Sequence, residues 1–281
     1  MLVLPLIPFF LGYKMPDIFN PTPSYIFRMR VDTLFINKSE TRVNREGNAG
    51  LEFYLKCESY NLDNLKCHIQ KTISYLPSPD SIHQVENNFF TLSSLQFTGI
   101  RFRMEFDVKG VKSYHFLAEN VENKETLLTI YQTIGDQLSV GTDLRTKDFE
   151  FTAIENSVIG KCPADYDITT VKSMNNNEIE LVSFLASEGY ELNEHETFFI
   201  KKVRRVNECY PKNNYILGKI LWDDLITSND IVRLSNSRTE MLFGLGEFTS
   251  VTLNTFMLHN ATNGNAGVVL ETIRLTLDSI N

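Results

Sequence analysis

The 281-residue sequence lacks an excess of positive charge, a long apolar run and a dense set of cysteines. Each shortage excludes something. Lys and Arg total 27 against 35 Asp and Glu, a net charge of −8. That excludes a broadly basic surface for nucleic acid, though not a local basic patch. No apolar run reaches about 18 residues, so no transmembrane segment is expected. Four cysteines are too few for a disulfide scaffold, but an even number permits two bridges. Catalytic motifs are missing as well: there is no G-x-S-x-G, no H-E-x-x-H, no P-loop and no C-x-x-C. Gly244-Leu245-Gly246 lacks the third glycine of a dinucleotide fingerprint and reads as strand-turn chemistry. His68, His83, His115, His195 and His259 are scattered. Glu194-His195-Glu196 are sequence neighbours that do not face one point, and Asp223-Asp224 read as a solvated pair. No nucleophile, base and orienting group assemble, so the expectation is a non-enzyme without metal or cofactor.

What is present is enough apolar material, 42% with 11% aromatic, to build a real core rather than a disordered chain. The length suits one or two domains, or one large all-β unit. Residues 2–11 form an apolar run. It reads either as the hydrophobic region of a signal peptide within a leader of residues 1–14, or as a mis-assigned gene start or a buried strand. Pro5 and Pro8 interrupt it and no Lys or Arg precedes it. Asn37-Lys38-Ser39 and Asn260-Ala261-Thr262 are N-glycosylation triplets.

Along the chain the dominant signal is period-two alternation. Ile100, Phe102, Met104, Phe106 and Val108 take one face, while Arg101, Arg103, Glu105, Asp107 and Lys109 take the other. This is a half-buried strand. Lys109-Gly110 then reads as a tight turn into a returning strand at 111–117. Phe27, Met29 and Val31 alternate with Arg28, Arg30 and Asp32 in the same way. Further strands are expected at 50–59, 149–154, 179–185, 198–206, 215–221, 241–244, 250–258 and 268–277. One segment has a helical period instead: Leu127, Tyr131, Ile134 and Leu138 make an apolar stripe, with Asn123 as N-cap and Gly141 beyond the C-terminus. Roughly ten strands around one helix point to a mainly β fold. A large antiparallel β-barrel wrapped around one central α-helix would manage the strand edges, and a sandwich with a covering helix is the other arrangement.

Two features carry chemistry. Cys57 and Cys67 bracket a short loop, and Cys162 and Cys209 lie 47 positions apart. Spacing alone cannot choose among the three pairings, and four buried thiols are the other reading. The second feature is Lys201-Lys202-Val203-Arg204-Arg205, a concentrated positive field in an acidic protein. On a strand, Lys202 and Arg204 share one face and Lys201, Val203 and Arg205 the other. Such a strand suits acidic clusters on a partner or a phosphate backbone, or is an ordinary solvated face.

Several of these segments resemble the vitellogenin family. Glu155-Asn156-Ser157-Val158-Ile159-Gly160-Lys161-Cys162, with Tyr166 after it, is similar to the "E-x-x-x-x-G-K-C-x-x-x-Y" stretch of vitellogenin N-terminal regions. Lys202-Val203-Arg204-Arg205-Val206-Asn207-Glu208-Cys209 resembles the family's "K-T-K/R-D/N-L-x-x-C" segment. Ser237-Arg238-Thr239-Glu240, then Phe248 to Val251 and Asn260-Ala261-Thr262-Asn263, resemble its later portion, and the strand pair from Phe102 to Tyr114 and the helix from Glu125 to Leu138 have counterparts upstream. The resemblance spans residues 24–281. It implies the N-terminal β-barrel of large lipid transfer proteins, a Cys162–Cys209 bridge with Cys57–Cys67 as the other candidate, and secretion. It further implies a basic segment, Lys201, Lys202, Arg204 and Arg205, that binds a lipoprotein-type receptor through its acidic, calcium-ordered sites. Arg205 stands where the family often has Asp or Asn, and Lys201 where it often has Thr. Family members continue into a helical domain that lines a lipid cavity, so the expected partners include the rest of a longer vitellogenin-like chain. The expected role is receptor recognition in lipid transport and nutrient storage rather than lipid holding. A stand-alone lipid-transfer protein, and a binding module for nucleic acid or microbial surfaces, are the alternatives.

Overall fold

A computed structural model describes residues 3–7, 11–14, 24–39, 42–61, 64–75, 100–107, 110–116, 124–142, 149–172, 181–183, 196–211, 217, 230–244, 247–260 and 266–280. The protein is mainly β. The strands are β1 (Val3–Ile7), β2 (Leu11–Lys14), β3 (Ser24–Ser39), β4 (Arg42–Asn61), β5 (Asn64–Tyr75), β6 (Arg101–Asp107) and β7 (Gly110–Phe116). The helix α1 (Lys124–Leu138) comes next. It is followed by β8 (Glu150–Ser157), β9 (Gly160–Lys172), β10 (Leu181–Ser183), β11 (Glu196–Arg204), β12 (Asp230–Gly244), β13 (Glu247–Asn260) and β14 (Ala266–Ile280).

Eleven strands form one antiparallel sheet in the order β7-β6-β5-β4-β3-β14-β13-β12-β11-β9-β8. The first and last long strands are neighbours, paired from Gly267 opposite Asn37 to Ile280 opposite Tyr25. The alternation places the core as the sequence requires. Tyr25, Phe27, Met29, Val31, Phe53, Leu55, Phe102, Met104, Phe256, Val269 and Leu275 are buried on one face. Part of that face packs on α1, which meets β7, β8, β13 and β14, and part on itself, as where Phe27 of β3 meets Phe248 of β13 edge-on.

Gly110, at φ +127°, starts β7 in a conformation open to glycine, and the hairpin from β6 follows. Of the expected strands, 179–185 is described only at 181–183, which form β10, and 215–221 lies outside the described residues apart from Leu217. Two strands of the large sheet are not evident from the periodicity. β5 is the returning arm of a hairpin that sets Cys57 directly opposite Cys67, where the sequence suggested a loop. β9 carries Pro163, which argues against a strand interior, yet it pairs on both sides. The apolar N-terminal run contains β1, which pairs with β2, and β2 pairs in turn with β10 in a separate three-stranded sheet.

Among the described residues the sheet is not closed into a barrel. Among the described residues no ladder joins the edge strands β7 and β8. Both edges instead meet α1, which also packs against β13 and β14 in the body of the sheet. The helix is buried on most sides, through Leu127, Ile130, Tyr131, Thr133, Ile134, Gly135, Gln137 and Leu138. Tyr131 stacks on Phe102 of β6 at 3.7 Å between ring centroids and meets Phe116 of β7 at 5.4 Å. No helix among the described residues is long and apolar enough to cross a membrane.

Gly135 permits the close approach of α1 to β7. A Cβ there would stand 2.1 Å from the Tyr114 hydroxyl. Alanine elsewhere in a helix interior gains about 1 kcal/mol over glycine, but overpacking costs about 1–3 kcal/mol. Gly135→Ala is therefore expected to lower the urea midpoint in the parent and to raise it in a Tyr114→Ala background. The same sign in both backgrounds would contradict this packing.

Candidate functional site: a buried charge cluster at the helix terminus

The strand alternation decides where the basic segment goes. On β11, Lys202 and Arg204 are in phase with Ile200, which is fully buried, so both cations enter the interior. Lys202 is 1% exposed and Arg204 5%. On β8 the usual pattern is inverted: Ile154 faces solvent at 59% exposure, while the neighbouring Glu155 is buried at 1%. The ladders bring these strands together through β9, where Cys162 is opposite Glu155 and Tyr166 opposite Lys202.

The resulting contacts satisfy nearly every polar atom. Lys202 Nζ donates to the Ser139 carbonyl at 3.2 Å, the Val140 carbonyl at 3.2 Å and Glu155 Oε2 at 3.0 Å. An ammonium has three donors, and all three are used. Arg204 donates from Nε to Glu155 Oε1 and from Nη1 to Ser237 Oγ and Thr239 Oγ1, both at 3.0 Å. The Tyr166 hydroxyl lies 3.0 Å from the Val140 carbonyl and 3.2 Å from Glu155 Oε2. The network runs on through Thr239 and Thr252, 2.8 Å apart, to Gln137 of α1, whose side chain also accepts from Ser250.

This arrangement answers a local need. The last turn of α1 has no basic residue, and a helix C-terminus presents unpaired carbonyls at the negative end of its dipole. Lys202 supplies the missing cation from a distant strand. Gly141, at φ +89°, turns the chain there, and a Cβ on it would stand 2.6 Å from Glu155 Oε2. Burial opposes the Glu155 charge, but Arg204 and Lys202 hold its carboxyl below the usual carboxylate range. Burial pulls the Lys202 ammonium down, against the Glu155 carboxylate. Burial also opposes the Arg204 charge, yet Glu155 and Asp136 raise it. Asp136 of α1 accepts the Val158 N–H at 2.7 Å, and burial pushes its pKa up to about 6. Above that pH two carboxylates face two cations.

The sequence-based site residues therefore separate. Lys202 and Arg204 lie inside and do not present charge to a macromolecular partner; the expectation that they form an exposed receptor surface is corrected by their burial. Lys201 is half-buried and opposite Asp167 on β9. Arg205 is exposed and paired with Asp165 at 2.7 Å. Around them Glu150, Thr152, Asp165, Asp167, Lys201 and Val203 line a shallow groove of about 440 Å³. Asn37 and Asn260 fall in β3 and β13, with side chains outside the described residues.

Both disulfides are formed, Cys57–Cys67 and Cys162–Cys209. The second ties the segment after β11 to β9, beside the Tyr210 N–H to Lys161 carbonyl bond. Closing loops of 10 and 47 residues contributes on the order of 3–4 kcal/mol each through chain entropy. In the sequence Glu155 and Tyr166 stand out only through the vitellogenin resemblance. The signal for a role in the interior is their phase, Glu155 with half-buried Phe151 and Ala153 and Tyr166 with buried Ala164 and Ile168. No group of His, Cys, Asp and Glu among the described residues is placed to hold a metal ion.

No family model matches this chain, and no curated protein matches it in sequence. A solved structure concerned with lipid–protein interactions in lipovitellin is similar to it, with TM-score 0.56 and 15% identity over 94% of this chain and 26% of the lipovitellin chain. At that identity the shared property is the fold, a lipovitellin-like β fold. The chain spans about a quarter of the length of the lipovitellin chain it matches.

Removing one partner of a buried ion group leaves the others uncompensated, at a cost of about 3–5 kcal/mol. Glu155→Gln is expected to lose stability on that scale in denaturant titration. Arg205→Ala breaks only an exposed pair and should leave the midpoint near the parent's. Equal effects from the two substitutions would contradict the assignment of the interior cluster.

Proposed function

We propose that this chain is an extracellular module of lipid transport on the lipovitellin plan, in which recognition rather than lipid storage is its own task. The observation that carries the reading is the likeness to lipovitellin across 94% of the chain. The two disulfides fit an oxidising compartment. The space beneath the sheet holds α1 and the charge cluster, an interior suited to rigidity and poorly suited to bulk lipid. Lipid would then be carried by other parts of a longer vitellogenin-like chain.

Recognition on this reading falls to the outer face of β11 and its continuation. Lys201 and Arg205 point there, and Lys202 and Arg204 act only by holding the strand in place. A receptor of the low-density-lipoprotein type, with acidic calcium-ordered sites, has the complementary charge. It would compete with Asp165 for Arg205 and meet Asp167 across from Lys201, so the contact is expected to be modest and salt-sensitive.

Density fractionation of extracellular fluid, followed by capture of the fractions on immobilised receptor repeats, tests both parts. The expected result is that the chain travels with lipid-bearing particles, and that capture falls about tenfold with Lys201→Glu and Arg205→Glu and with rising salt. Confinement to lipid-free intracellular fractions would contradict the transport reading. Capture indifferent to both charge reversals would contradict the recognition surface alone.

A further inference from the structure

The outer face of β12, β13, β14 and β3 shows a patch that the interior cluster does not explain. Alternation puts Ile231, Met257, Val268, Leu270, Ile36 and Leu34 on this face, opposite the core. The ladders make them contiguous. Met257 is opposite Val268, which is opposite Ile36; one step along, Leu270 is opposite Leu34. Ile231 is 59% exposed, Met257 39% and Leu270 38%, and the other three are half-buried. Isolated apolar side chains on a surface are ordinary, but a contiguous set is a mark of contact with something else.

The charges around it indicate what that is. Arg233 stands opposite Met257 at one side of the patch, and Arg274 lies further along β14 beside Arg30. Arg30 is held by Asp32 at 2.8 Å, Arg28 lies 3.9 Å from Asp278, and Arg238 lies 3.4 Å from Glu240. Arg233 and Arg274 are exposed and have no carboxylate partner among the described residues. Arg233 beside Met257, with Arg274 two outward positions beyond Leu270 on β14, matches a phospholipid surface, with phosphates for the arginines and acyl chains for the patch. A polypeptide strand is a poorer fit, because β13 and β14 are paired on both sides and offer no free backbone edge.

We infer that this outer face docks on an anionic phospholipid surface, with Met257 and Leu270 entering the interface and Arg233 and Arg274 gripping phosphates. The inference does not depend on the receptor reading, which concerns the other side of β12.

Flotation with vesicles of phosphatidylcholine, with and without phosphatidylserine, tests it. The parent chain is expected to float with the serine-containing vesicles, more at low salt than at high. Met257→Glu with Leu270→Glu should weaken flotation at least about tenfold, and Arg233→Glu with Arg274→Glu should abolish the preference for phosphatidylserine. If the glutamates disturb folding, Met257→Ser with Leu270→Ser serves the same purpose, with thermal midpoints checked against the parent. Absence of flotation, flotation unaffected by these variants, or indifference to phosphatidylserine would overturn the inference. So would lipid-free self-association that the Met257 and Leu270 variants abolish, since the face would then be covered by a second copy of the chain.

Discussion

The charge on Glu155 is shut off from water, so it is stable only while Lys202 and Arg204 stand beside it. Much of the architecture depends on that one constraint. Glu155 belongs to β8 at the edge of the sheet, the two cations to β11 one strand beyond its neighbour, and the carbonyls that share Lys202 to the end of α1. Arg204 extends the same contact to β12 through Ser237 and Thr239. A hydrophobic contact tolerates sliding, whereas three charged groups with fixed hydrogen-bond directions do not. The cluster therefore fixes the rotation and height of the helix against the sheet, which apolar packing on Tyr131 and Ile134 alone leaves less defined. Such a group is weak evidence for added stability over an apolar core, and its better-attested use is register.

The open sheet makes sense in these terms. A closed barrel removes its edges by pairing the first strand with the last. Here β7 and β8 both rest on α1, so the helix does for the edges what a closing ladder does elsewhere. Gly135 lets β7 come close on one side, and Asp136, one residue on, takes the Val158 N–H at the β8–β9 turn on the other. Consecutive helix residues thus address opposite edges. The fixed helix becomes the connector between two halves of the sheet that meet again at the β3–β14 ladder.

Much of this fold is legible in the chain itself, because period-two alternation is strong where one face is apolar. Phe102, Met104 and Phe106 in β6, and Phe27, Met29 and Val31 in β3, behave as their spacing requires. β9 is harder to read because its inner face opens with the small Cys162 and Ala164, with Pro163 between them. Alternation gives the basic segment its correct phase but does not say which of its two faces meets solvent. Charge was assumed to seek solvent, and the partner that overrules that assumption, Glu155, lies 47 positions upstream of Lys202. Sequence distance conceals such a pair. The exposed Ile154 beside the buried Glu155 is the local sign of it, a reversal of the pattern in the strand that supplies the counter-charge. The outer patch was equally hidden, since it arises only when β3, β13 and β14 are set side by side.

Lysine reactivity in the folded protein tests the central claim most directly. Mild amine acylation under native conditions, read out residue by residue by mass spectrometry, should modify Lys161 and leave Lys202 untouched until denaturant unfolds the chain. Half-buried Lys201 should react at an intermediate rate. Native reactivity of Lys202 equal to that of Lys161 would place its ammonium in solvent, and the interior cluster that organises the helix and the sheet would not exist.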